Sequence, residues 1–118
     1  MERDPRVHLW DVGQAADEIV QFTAALDAAG YQNNPLVRAA VERKFEIIGE
    51  ALNKLSKLAP ELAPRVPHLR RIVGFRNLLI HGYATVDSAQ VWRIVNESLP
   101  GLREAVSAML AEMGPPDA

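Results

Sequence analysis

The sequence predicts an all-α protein, an antiparallel four-helix bundle with a short extra helical turn and a last helix that is kinked or split. Three observations predict it. Apolar residues recur every three or four positions through four long stretches, the period of a helix with one buried face. Three of those stretches open on helix-start signals: Asp4-Pro5, Asn34-Pro35, and Asp87 with Gln90 three residues on. No stretch shows the sustained two-residue alternation of a half-buried strand. The 118 residues fit one domain spanning 1–118, with a core over about 4–113 and a tail at 114–118.

The first helix starts at Pro5. Val12, Ala15, Ile19, Phe22 and Leu26 line one face, and Gly30 is the expected stop. The second starts at Pro35 and buries Val37, Val41, Phe45, Ile48, Leu52 and Leu55, running to about Leu58. Pro60, Pro64 and Pro67 then break any long helix, leaving a loop over 59–67 with room for one short turn. The third helix runs from about His68 to His81, with Leu69, Ile72, Val73, Leu79 and Ile80 facing inward and Gly82 placed for a left-handed C-terminal cap. The fourth opens at Asp87, and its seam is Trp92, Val95, Leu99, Leu102, Val106, Met109 and Met113. Pro100 removes the hydrogen bond to the Asn96 carbonyl, so the helix is kinked or split there.

Composition narrows the function. Hydrophobic residues make up 48% and charged residues 24%, an ordinary globular balance. With no cysteine, disulfide scaffolds, iron–sulfur clusters and Cys-ligated zinc are excluded. No apolar run reaches the ~18–20 residues of a membrane span, and the charged N-terminus leads into no apolar leader, as expected of a cytoplasmic protein with no membrane partner. The net charge of −2 argues against a DNA-coating protein. Its distribution is uneven: residues 38–76 hold nine Lys/Arg against four Asp/Glu, and the rest of the chain is acidic. Such a split marks either a polyanion site or a set of solvated helix faces.

The third helix ends in Gly74-Phe75-Arg76-Asn77-Leu78-Leu79-Ile80-His81-Gly82-Tyr83, which concentrates polar groups on an otherwise apolar element. Asn77 and His81 are four apart and share a face, whereas Arg76 and His81 are about 140° apart around the axis. In the last turn the helix dipole favours an imidazolium. An Arg that neutralises an oxyanion beside a His that moves a proton suits chemistry at a phosphate. The same His beside Gly82 also reads as a simple helix cap. On the second helix Arg43, Glu46, Glu50, Asn53 and Lys57 form a charged stripe, which is either a solvated face or the wall of a cleft in which Glu46, Glu50 or Asn53 orients the Arg or His. His8 and His68 show no metal-ligand spacing to His81, there is no phosphate-binding glycine loop and no serine nucleophile elbow, so neither a metal nor a cofactor is expected.

Arg76-x4-His81 with a polar residue after the Arg resembles the signature of HEPN domains, and the longer Arg76-x4-His81-x-Tyr83 resembles that of the HepT toxins. Arg3-Asp4-Pro5-Arg6, Phe45-Glu46-Ile47-Ile48-Gly49-Glu50-Ala51, Val91-Trp92-Arg93-Ile94-Val95 and Leu99-Pro100 are similar to the same family, so the resemblance covers residues 3–113. Leu69 departs from it, standing where members often carry an aromatic residue. The resemblance implies a bundle of HEPN type and a metal-independent endoribonuclease, the toxin half of a toxin–antitoxin pair. Its partner is a minimal nucleotidyltransferase that silences it by attaching AMP to a tyrosine. Carried onto this chain, Arg76 and His81 are catalytic, Asn77 assists, and Tyr83 is the modification site. The resemblance also implies a homodimer in which two such motifs face one cleft, with RNA and not DNA as substrate. The alternative reading is a non-catalytic HEPN module that serves as partner, substrate or nucleotide-binding subunit of the nucleotidyltransferase.

Overall fold

The computed structural model describes residues 4–82 and 86–114. Among them are six α-helices and no strand: α1 (Pro5–Thr23), α2 (Ala28–Gln32), α3 (Pro35–Leu58), α4 (Leu69–His81), α5 (Ser88–Glu97) and α6 (Leu99–Met113), with a 3-10 turn at Ala63–Arg65 between α3 and α4. The expected all-helical bundle is present, and the 3-10 turn is the short extra turn expected among the prolines.

The start signals act as read. The Asp4 carboxylate accepts from the Arg6 amide at 2.9 Å, the Asn34 Oδ1 accepts from Val37 at 3.1 Å, and the Asp87 Oδ1 accepts from Ala89 at 2.9 Å. Each satisfies an amide that a helix end leaves without an internal partner. The first helix, however, stops at Thr23 rather than at Gly30. The Thr23 hydroxyl donates back to the Ile19 carbonyl at 2.8 Å. Asp27 then caps a new helix by accepting from the Gly30 amide at 2.7 Å, so Gly30 lies inside α2. This small helix places Tyr31 in the core, where its ring meets Trp92 of α5 with centroids 5.3 Å apart.

Helix α3 is central. It packs against α1 on one side and α4 on another, while α6 covers α1 and α5 joins α6 to α2. Its face of Val41, Phe45, Ile48, Leu52 and Leu55 is completely buried. The seam expected through the last stretch is buried from Val95 to Met109, with Trp92 and Met113 packed at its margins. Of the two outcomes open at Pro100, the helix splits: Ser98 closes α5 through its amide to the Ile94 carbonyl (3.0 Å), and its own carbonyl accepts from Leu102 (3.1 Å). Among the described residues no helix is long and apolar enough to cross a membrane.

In α4 the inward set differs in part from expectation. Ile72 and Phe75 are buried, whereas Ile80 is 48% exposed. Leu69, Val73 and Leu79 pack against the core as expected; Ile80 shares the angular position of Leu69 and Val73 but lies two turns nearer the C-terminal end of α4, where it stays largely in solvent.

Candidate functional site

Helices α3 and α4 form a hairpin that is unusually tight at one point. A Cβ built on Gly49 of α3 would overlap the Arg76 side chain, lying 2.7 Å from its Cγ and 3.3 Å from the Ile72 carbonyl. Only a glycine lets the Arg76 stem lie across α3 at this height. One turn away along α3 the Phe45 ring meets Phe75 edge-on, with centroids 5.6 Å apart. These two contacts fix how α4 is rotated, and therefore where its polar groups emerge.

Arg76 comes out half-buried. Its Nε is buried without a hydrogen-bond partner, and its Nη1 donates to the Asn77 Oδ1 at 3.0 Å. Asn77 therefore holds the guanidinium on the side of α4 nearer the face it shares with His81. His81 is the last residue of α4 and is exposed. Gly82 follows with φ 60°, the left-handed cap expected, and its amide reaches the Leu78 carbonyl at 3.3 Å. Unbroken helix from Leu69 to His81 keeps Arg76 and His81 about 140° apart around the axis, while Asn77 and His81 stay on one face. Tyr83, the candidate modification site, lies outside the described residues.

The carboxylates expected to line a cleft are engaged along their own helix. Glu46 pairs with Arg43 at 3.3 Å and Glu50 with Lys54 at 3.1 Å. Glu50 is held below the usual carboxylate range, first by the Lys54 hydrogen bond and charge and, against a small burial cost, also by Arg76 and Arg43. It thus senses the Arg76 guanidinium. Asn53 is half-buried one turn further on, and its carbonyl accepts from the Ser56 hydroxyl. Of the three, Glu50 is the one tied electrostatically to the motif.

A second polar group sits near the start of α3. Burial pushes Glu42 above the usual carboxylate range, with Arg38 opposing and Glu46 adding to the rise. The Tyr31 hydroxyl is buried without a hydrogen-bond partner, and burial with the Glu42 charge raises its phenol above the ordinary value. The folded state therefore holds the Glu42 proton more tightly than the unfolded chain. Whatever stability Glu42 contributes is fully present below the unfolded carboxyl value of about 4.3 and is lost as pH rises through the folded value. Glu42→Gln is expected to raise the thermal midpoint at pH 7, with the gain shrinking towards pH 4; scanning calorimetry across that range checks it.

The motif that carries the resemblance of the sequence thus lies at the C-terminal end of α4, the helix seated on α3 at Gly49. A model of the family "HepT-like: Ribonuclease HepT-like" matches residues 12–109. The chain belongs to this family. Among similar proteins, one of Methanocaldococcus jannaschii named "Putative RNase MJ1380" is 37% identical over 105 residues, covering 89% of this chain and 95% of its own. A second from that organism, "Putative RNase MJ0125", is 31% identical over 112 residues, covering 95% of this chain and 96% of its own. "Probable ribonuclease HepT" of Thermococcus cleftensis is 32% identical over 103 residues, covering 87% of this chain and 93% of its own. No solved structure matches. The HepT-like match spans α3, α4 and α5 entirely, and so contains Gly49, Arg76, Asn77 and His81. Gly49 was inside a segment that resembled the family, but its role in seating Arg76 appears only when the two helices are brought together.

Proposed function

We propose that this chain is a metal-independent endoribonuclease and the toxin of a pair with a minimal nucleotidyltransferase. The observation that carries the reading is the Arg76–Asn77 hydrogen bond beside an exposed His81 on the same helix end, within a chain of the HepT-like family. The RNA's own 2′-hydroxyl attacks the adjacent phosphorus. His81 assists proton transfer at the oxygens that gain or lose a proton, and Arg76 stabilises the negative charge that develops on the phosphoryl oxygens. The bond from phosphorus to the 5′-oxygen breaks, leaving a 2′,3′-cyclic phosphate and a 5′-hydroxyl. A strand lacking the 2′-hydroxyl is not cut. Incubating the protein with matched RNA and DNA oligonucleotides and resolving the product ends tests this. Cyclic-phosphate ends from RNA alone support it; binding of RNA with no cleavage supports the non-catalytic module instead.

Within this reading the chain acts as a homodimer. Leu78 and Ile80 are 39% and 48% exposed in the last turn of α4, an apolar surround that a second copy would cover there, with the turns of Arg70 and Gly74 left outside the contact. Two motifs then face one cleft, which supplies an Arg and a His from different protomers and relieves the 140° separation within one. Sedimentation is expected to give about twice the 13.0 kDa chain mass at micromolar concentration; an active monomer overturns the composite site.

Tyr83 is the site of silencing. Its phenolic oxygen attacks the α-phosphorus of ATP on the nucleotidyltransferase, forming a phosphodiester and releasing pyrophosphate. The adduct places a negative charge and a nucleoside two residues from His81, where substrate phosphate must sit. Mass spectrometry after incubation with the partner and ATP is expected to show an AMP adduct mapping to Tyr83 and absent from Tyr83→Phe. Full neutralisation of Tyr83→Phe with no adduct anywhere points to inhibition by binding.

A further inference from the structure

Helix α4 carries three arginines and a histidine and no carboxylate. Two of those arginines are engaged. Arg71 donates to Glu97 at 3.3 Å and to the Ser98 hydroxyl at 3.0 Å, and Arg76 is tied to Asn77. Arg70 is exposed and makes no ion pair or side-chain hydrogen bond among the described residues. By helical period Arg70, Gly74, Asn77 and His81 fall within a sector of about 60°, and all four are exposed. They form one polar stripe along the outside of the helix that ends at the proposed catalytic histidine.

Gly74 lies in the middle of this stripe. A glycine weakens a helix interior, and one is usually kept where another group must approach closely. Here a Cβ would meet nothing within 4 Å, in contrast to Gly49, so no contact within the chain accounts for it. The far end of the stripe opens on a cleft of about 570 Å³ lined by Pro60, Pro64, Val66, Leu69, His68 and Arg70. Its walls are apolar, with the imidazole of His68 exposed at the rim on a backbone in the left-handed region, φ 61°. Apolar walls, a ring and an unpaired guanidinium match a nucleoside with its phosphate, and eleven residues of helix put that phosphate about 16 Å from His81.

We propose that the outer face of α4 is a track for single-stranded RNA. Arg70 pairs with a backbone phosphate a few nucleotides from the scissile bond, Gly74 lets the strand run close over the helix, and the cleft beside His68 receives a base. The proposal rests on the ribonuclease reading and extends it from the reacting bond to the flanking strand. An acid-free helix face with an unpaired arginine is complementary to a polyphosphate chain, whereas it offers an acidic protein no apolar anchor on the stripe itself.

The test compares a dinucleotide with a longer single-stranded RNA containing the same step, and measures binding of the long RNA carrying a 2′-O-methyl group at that step, so that it stays uncut. Arg70→Ala and Gly74→Leu are each expected to raise KM for the long RNA about tenfold more than for the dinucleotide. Arg70→Ala is expected to lower the slope of log affinity against log salt by about one, and Arg70→Lys to restore most of the loss. Equal binding and an equal KM ratio in Arg70→Ala and wild type overturn the track. So does conversion of a dimer to a monomer by Gly74→Leu, which assigns the face to a second copy. If free AMP competes away the same increment as Arg70→Ala, the cleft is a mononucleotide site and the track is again overturned. Failure of the wild type to cut either RNA overturns the nuclease reading separately, since the binding measurement still reports on Arg70.

Discussion

His81→Ala is expected to lower RNA cleavage by about two to four orders of magnitude, the usual worth of a positioned acid–base group, while the helical content is unchanged. His81 ends α4 and is exposed, and the Gly82 cap forms through the backbone, so the cap itself does not need the imidazole. Arg76→Ala is expected to cost about two to three orders of magnitude through lost stabilisation of the phosphoryl oxygens. Arg76→Lys restores little, because a lysine lacks the planar fork that reaches both Asn77 and a phosphate. Single-turnover rates with circular dichroism on the same samples check all three. Near wild-type cleavage in either alanine variant removes that residue from the mechanism.

Gly49→Ala is expected to act on the same rate from the opposite helix. The added methyl overlaps the Arg76 stem close to its backbone, and the stem has no freedom to swing away there. Either α3 and α4 move apart or Arg76 leaves its place. Overpacking of this kind costs about 1–3 kcal/mol of stability, read as a lower urea midpoint, and cleavage falls with it. Gly74→Ala is the matched control on α4. Its methyl enters open space, so stability is held or raised, as expected for glycine replacement in a helix interior. Equal midpoints for Gly49→Ala and wild type would show that the helices are not locked at this point.

How much of this was legible beforehand follows from how far each signal reaches along the chain. The ends of α3 were readable because Asn34-Pro35 and the run to Leu58 are local patterns of capping and period. The end of α1 was not, because Gly30 looked like a stop while the decisive groups were the Thr23 hydroxyl bonding back to Ile19 and the Asp27 carboxylate starting α2. Ile80 was misplaced for a related reason. Its period matches that of Leu69 and Val73, which do pack against the core, but which turns of α4 are covered depends on the helices that lie against them and not on the local pattern. Glu46 and Glu50 were readable as a stripe; that Glu46 is engaged by Arg43, while Glu50 senses Arg76, required the side chains in place.

The sequence by itself determined the helical class and the family, and it singled out Arg76, Asn77 and His81 as the candidates for the chemistry, since periodicity, caps and the Arg76-x4-His81 spacing are all properties of neighbours along the chain. Only the tertiary structure decided how that chemistry is presented. The approach of α3 to α4 at Gly49 seats Arg76, leaves Arg70, Gly74, Asn77 and His81 facing outward, and sets Glu50 within the field of the guanidinium. The physical reason is that the rotation of one helix against another is set by a few close side-chain contacts between residues far apart in the chain, and no local pattern encodes which pair will make them.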